Sequence, residues 1–248
     1  MMSVEGPFLA AIIARLPDPK FNLAAYGVAF SFALIIEAPV IMMMSASTAL
    51  VKSSYSFQKL KKFTYALNYG LTTLMLLFII PPLFYFITET LIGLPHEVST
   101  LTHWAVALLL PWPGMIGYRR FYQGILIRHN LTRRVAYGTV IRLTSMAVTA
   151  LLLYLFTDAA GVIVGAVSLS AAVTAEGIAS RFMANNIIKS LPAEEEKISY
   201  KEIYKFYYPL ALTSFIWVVV ELFSVDSSFI GLIVKALASF RGYKIINN

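Results

Sequence analysis

Charged residues cluster along this chain, and long apolar runs separate the clusters. Residues 21–51 hold one charge, Glu37; 63–88 and 98–118 hold none; 135–157 hold only Arg142, 159–180 only Glu176, and 206–234 only Glu221 and Asp226. A helix of roughly 20 apolar residues crosses the hydrocarbon core of a bilayer, so these six runs are predicted membrane-crossing helices. Ahead of them, Met1 to Ala14 amounts to about 21 Å of helix at the standard rise, the inner part of a first span whose beginning is clipped. The expected fold class is an all-α polytopic bundle. Residues 1–188 would form a six-helix lobe, 189–205 a cytoplasmic linker, 206–234 a seventh helix and 235–248 a divergent basic tail.

Composition agrees: 58% of the 248 residues are hydrophobic and 13% charged, about half the charged share of a soluble domain. The net charge of +7 sits in short segments between apolar runs rather than in one stripe, which argues against a nucleic-acid partner. The partner instead is the lipid bilayer. With no cysteine, disulfides and thiolate metal sites are excluded, and no metal site is expected. No HExxH, GxSxG or Walker lysine loop occurs, so an enzyme is not expected.

The loops carry an orientation. "KSSYSFQKLKK" (52–62) has four lysines and no acid, which places it in the cytoplasm. Alternation then puts "TETLIGLPHEVST" (88–100) outside and the arginine-rich "YRRFYQGILIRHNLTRR" (118–134) inside. "KSLPAEEEKISYKEIYK" (189–205) also falls inside and reads as a solvated linker, with room for a short surface helix. The basic tail "KALASFRGYKIINN" (235–248) would lie outside, against the rule.

An ionisable group at membrane depth costs at least about 2.5 kcal/mol unless it meets a partner or a wet cavity. Glu37 lies about 25 Å of helix from Lys20 and about 22 Å from Lys52, too deep to reach water. Pro39, two residues on, lacks an N–H and should kink the helix, leaving the Ile35 carbonyl free beside the acid. Such a pairing is how transporters assemble cation sites, and the alternative is a protonated Glu bonded to a neighbouring helix. Arg142 shares a face with Gly138, Thr139, Ser145 and Thr149 and needs Glu37 or another acid, as a structural bridge or as a substrate contact. Glu176 has two readings, a buried group or one snorkelling toward the cytoplasmic surface. Its helix aligns Gly161, Gly165, Ser168, Ala172 and Ser180 with it on one small, close-packing face. Glu221 lies deep in the last span. Asn68 and Thr72 read as helix-to-helix glue, Pro81-Pro82 and Pro111-Trp112-Pro113 as interruptions, and Trp104 and Trp112 as interfacial or cavity-lining.

Two blocks carry a family resemblance. "LAAYGVAFSFALIIEAPVIMMMSASTALV" resembles the second helix of the multidrug and toxic compound extrusion (MATE) transporters, closest to the branch that includes the progressive ankylosis protein. "GYRRFYQGILIRHNLTRRVAYGTVIRL" resembles the end of their fourth helix, an arginine-rich turn leading into the fifth. The resemblance implies an efflux antiporter of two six-helix lobes in the cell membrane, exporting a small organic solute by alternating access, with Na⁺ or H⁺ as coupling ion. Carried over by position, Glu5 matches a first-helix acid of that branch, and Arg119, Arg120, Gln123 and Gly124 the fourth-helix turn; since the family builds cation sites from first-helix and seventh-helix acids, the resemblance makes Glu5 and Glu221 candidates. This chain supplies one lobe and one further helix, so the second wall of a transport site would be a missing lobe or a second copy in a homodimer. The alternatives are a non-transporting truncated remnant or membrane subunit, and a lipid-linked saccharide flippase of related fold.

Overall fold

Prolines and helix caps set where the helices begin and end, and the apolar runs fill the lengths between. A computed structural model describes residues 5–193 and 198–223, the last three by backbone alone. The helices are α1 (Glu5–Ile13), α2 (Pro19–Glu37), α3 (Met43–Leu50), α4 (Ser54–Ile79), α5 (Pro81–Tyr85), α6 (His96–Leu108), α7 (Trp112–Arg128), α8 (Thr132–Phe156), α9 (Gly161–Lys189) and α10 (Tyr200–Phe223). No strand occurs among the described residues, and the expected all-α bundle is what the chain forms.

Four stretches are long and apolar enough to cross a membrane: Pro19–Leu50, Thr132–Phe156, Gly161–Lys189 and Tyr200–Val220. Within the first, α2 ends at Glu37, a 3₁₀ turn covers Ala38–Val40, and α3 resumes at Met43. The break expected at Pro39 is there. The run 63–88 is also interrupted: α4 stops at Ile79, and the segment Pro81–Leu91 leaves it at 75°, a fifth span if the bent pair counts as one. Ile80, just before Pro81-Pro82, takes an extended ψ of 121°, as the clash with a following proline ring favours.

The expected span over 98–118 is instead two helices, α6 and α7, separated at Leu109–Pro111. A second difference follows. The arginine-rich segment 118–134 is mostly not a loop, because α7 continues to Arg128 and only 129–131 turn, with Asn130 at φ 57°. Arg119, Arg120, Gln123 and Gly124 therefore lie in the body of a helix rather than at a kink or turn. Gly124 is needed for close approach: a Cβ there would overlap the Ser47 hydroxyl and the Met44 carbonyl of α3.

The segment read as linker also ends early. Ser199 and Glu202 form a reciprocal capping pair, with Glu202 N–H donating to Ser199 Oγ at 3.1 Å and Ser199 N–H to Glu202 Oε2 at 3.2 Å. That motif starts a helix, so 200–205 are the first turns of α10.

Contacts between distant segments sort the loops into two ends. At one end Ser54 N–H donates to the Pro192 carbonyl at 2.9 Å, Arg128 Nη1 to Thr48 O at 2.8 Å, and Arg134 Nη1 to Met183 O at 2.6 Å. At the other, Val162 N–H donates to Asn22 Oδ1 at 3.0 Å. The first set joins the lysine- and arginine-rich loops that the charge rule assigns to the cytoplasm.

Helix α9 is the axis of the bundle. Its small face, Gly161, Gly165, Ser168, Ala172, Glu176 and Ser180, is buried throughout. A Cβ at Gly165 would come within 2.8 Å of the Tyr26 ring, so α2 sits against bare backbone there. By contrast α8 buries one narrow stripe, Gly138, Arg142, Met146 and Ala150, and exposes Val148, Leu151, Leu155 and Phe156. Exposed apolar rows on a helix whose inner stripe carries an arginine fit a lipid-facing outer wall.

Candidate functional site

The inner faces of four helices bring charge together around Glu176. Arg119 and Gln123, one helical turn apart on α7, both reach it: Arg119 Nη1 donates to Glu176 Oε2, and Gln123 Nε2 donates to Oε1 at 2.9 Å. From α8, Arg142 Nη1 lies 3.5 Å from the same Oε2, and its Nη2 donates to Glu5 Oε1 on α1. The result is a buried chain, Glu5–Arg142–Glu176–Arg119, that ties α1, α8, α9 and α7. Glu176 is 1% exposed, which removes the snorkelling reading. Arg142 finds the acids it requires, and these are Glu5 and, at 3.5 Å, Glu176 rather than Glu37.

Two acids and two arginines make this chain formally neutral. Each member keeps a counter-ion within the bundle, the condition under which buried charges are tolerated. The Nε atoms of Arg119 and Arg142 lack a protein partner.

Glu37 stands apart. Its Oε2 accepts a hydrogen bond from the Trp112 indole Nε1, and both side chains are buried. Arg119, Arg120 and Arg142 act on it through space only. Glu37 is the last residue of α2 and Trp112 the first of α7, so this bond links two helix breaks. The aromatic edge of Trp112 also meets Phe30, with ring centroids 6.1 Å apart. A third helix closes the break: Tyr207 of α10 donates its hydroxyl hydrogen to the Pro39 carbonyl. The acceptor in use there is Pro39's own carbonyl.

The remaining expected residues fall elsewhere. Arg120 is half-buried, with Met44 Sδ at 4.0 Å from its Nη1. Gly124 belongs to the α3–α7 contact. The backbone of Glu221 lies in α10 and its side chain outside the described residues, as does all of Asp226. Asn68 is glue as expected, its Nδ2 donating to the Gly114 carbonyl at 2.9 Å. Trp104 is exposed, whereas Trp112, read as interfacial or cavity-lining, is buried.

Sequence reasoning missed the roles of Trp112 and Tyr207. A buried indole or phenol normally finds a partner for its polar hydrogen, so a tryptophan between two prolines in an apolar run is a signal in hindsight. An open groove of about 520 Å³ lies on the other side of α9, lined by Leu108, Val167, Ser170, Thr174 and Ile178 among others. None of the buried acids lines it.

Set against models of known protein families, curated proteins and solved structures, the chain matches none. The likeness to MATE exporters rests on the two quoted blocks alone.

Proposed function

We propose that this chain is an integral transporter of the cell membrane, or the N-terminal half of one, of MATE-like kind. It exports a small organic solute by alternating access, coupled to Na⁺ or H⁺. The observation that carries the reading is Glu37: a buried carboxylate at a proline break, held by a neutral donor. A carboxylate paired with arginine cannot take a proton without stranding that arginine in a dry interior. Glu37 has no such partner. Uptake or release of a cation at Glu37 changes the strength of the acceptor that holds the Trp112 N–H, and so acts on the hydrogen bond between the end of α2 and the start of α7. Both helices are already interrupted there, and discontinuous helices at mid-membrane are where transporters place coupling sites. The Glu5–Arg142–Glu176–Arg119 chain holds the rest of the lobe rigid while that joint moves.

The test is gradient-driven flux of a fluorescent organic cation in proteoliposomes holding the full chain. Flux that follows an imposed Na⁺ or H⁺ gradient, and is lost in Glu37→Gln, is the expected result. A correctly inserted chain with no gradient-dependent flux overturns it. One observation favours a non-transporting membrane subunit as second reading: the ion chain is closed, and its acids do not line the open groove.

A further inference from the structure

A second polar feature lies far from the buried acids, where α4 and α10 begin. Tyr55, Gln58, Lys59, Lys62 and Tyr200 line a cleft of about 130 Å³ between the two helices. Lys59 Nζ sits 5.2 Å from the Tyr55 ring centre and 4.8 Å from that of Tyr200, and donates to the Tyr55 hydroxyl at 3.1 Å. Lys62, exposed, follows one turn later on the same helix face. Like charges three apart on a helix repel, and among the described residues no acid lines the cleft to relieve them. The nearest acid of α10's first turn, Glu202, is turned back onto Ser199 N–H.

The height of the cleft identifies what fits it. Tyr55, Tyr200, Tyr204 and Tyr208 are all exposed around this end of the bundle, and exposed tyrosines gather where a membrane-spanning bundle meets the headgroups. From these we infer that the cleft binds the phosphate of an anionic phospholipid headgroup from the cytoplasmic leaflet, held by Lys59, Lys62 and the Gln58 amide. The bound headgroup neutralises the two lysines and clamps the start of α10 to α4. This holds whether or not the chain transports, because it requires only that the bundle spans a bilayer.

The full chain, purified in uncharged detergent, is titrated with phosphatidylglycerol, with phosphatidylcholine and with inorganic phosphate. Bound lipid is read by native mass spectrometry and unfolding by a thermal melt. Phosphatidylglycerol should bind more tightly than phosphatidylcholine and raise the melting temperature. Lys62→Gln, which removes a side chain with no described protein partner, should weaken that binding about fivefold, the effect of one surface lysine on an anionic lipid. Lys59→Gln combined with Lys62→Gln should weaken it more than tenfold, while Lys20→Gln at the far end leaves it unchanged. Equal binding of phosphatidylcholine, equal protection by inorganic phosphate, or an unchanged affinity in Lys62→Gln overturns the assignment.

Discussion

Two buried acids of this bundle, Glu176 and Glu37, are alike in exposure, at 1% and 2%, and opposite in company. Glu176 is held by Arg119, Gln123 and, at 3.5 Å, Arg142. Glu37 is held by one indole N–H. The first arrangement fixes charge: removing a proton acceptor there strands guanidinium groups with no water to solvate them. The second leaves charge adjustable, because an indole neither gains nor loses a counter-ion when its partner is neutralised. Burial by itself therefore does not mark a working acid. What marks it is whether its partners could survive its change of state.

The sharpest way to break this contrast is Glu176→Gln. The amide keeps the shape but leaves Arg119 without its acid and Arg142 with Glu5 only. Losing one partner of a buried pair costs about 3–5 kcal/mol. Chemical unfolding in detergent should show a loss of that size, or a collapse in folded yield; a change below about 1 kcal/mol would show that the chain is wetter than its burial implies. The link between Glu5 and Arg142 is the next largest. Glu5→Gln with Arg142→Met should cost less than the two single changes summed, with a coupling of about 0.5–3 kcal/mol. An additive pair would remove Glu5 from the network.

Which of these groups meet was only partly legible along the chain. Four of the six expected spans were, and a fifth if the bent pair over 54–91 counts as one, because charge-poor runs of that length have few other uses. The run 98–118 was not, since it divides into α6 and α7; the breaks at Pro39, Pro81 and Pro111 follow from a missing N–H. The arginine-rich block misled. Five arginines between 118 and 134 look like a loop, yet Arg119 and Gln123 are four apart and share an inward helix face with Gly124 beside them. The start of α10 was hidden by mixed charge, although Ser199 and Glu202 spell out a capping box. Glu5 and Arg142 are 137 positions apart, and nothing local sets such a pairing; it depends on where α1 and α8 come to lie around α9. Glu37's need for a partner was plain from its depth. That the partner is Trp112 depended on α6 and α7 breaking where they do.

Trp112→Phe tests the other side of the contrast at smaller scale. Phenylalanine preserves most of the packing against Phe30 but removes the only direct hydrogen-bond donor recorded for Glu37 among the described residues. A buried acceptor left unpaired costs about 1–3 kcal/mol, so the loss in chemical unfolding should fall below that of Glu176→Gln. If the two losses match, Glu37 is as much a structural anchor as Glu176, and the distinction between them fails.

The smallest structural effect should accompany the largest functional one. Glu37→Gln keeps an oxygen that can accept from Trp112, strands no arginine and changes almost no volume, so its stability should stay within about 1 kcal/mol of the parent chain. An ion gradient, however, has nothing left to act on, since the amide cannot be protonated near neutral pH and carries no charge for Na⁺. Folded protein with gradient-independent flux would place coupling at Glu37. Misfolded protein would make its bond to Trp112 a structural tie between two broken helices. Coupled flux that survives the change would move the search to Glu5, which among the described residues is a buried acid with a single arginine partner, because Glu176 has no state it could adopt without releasing two.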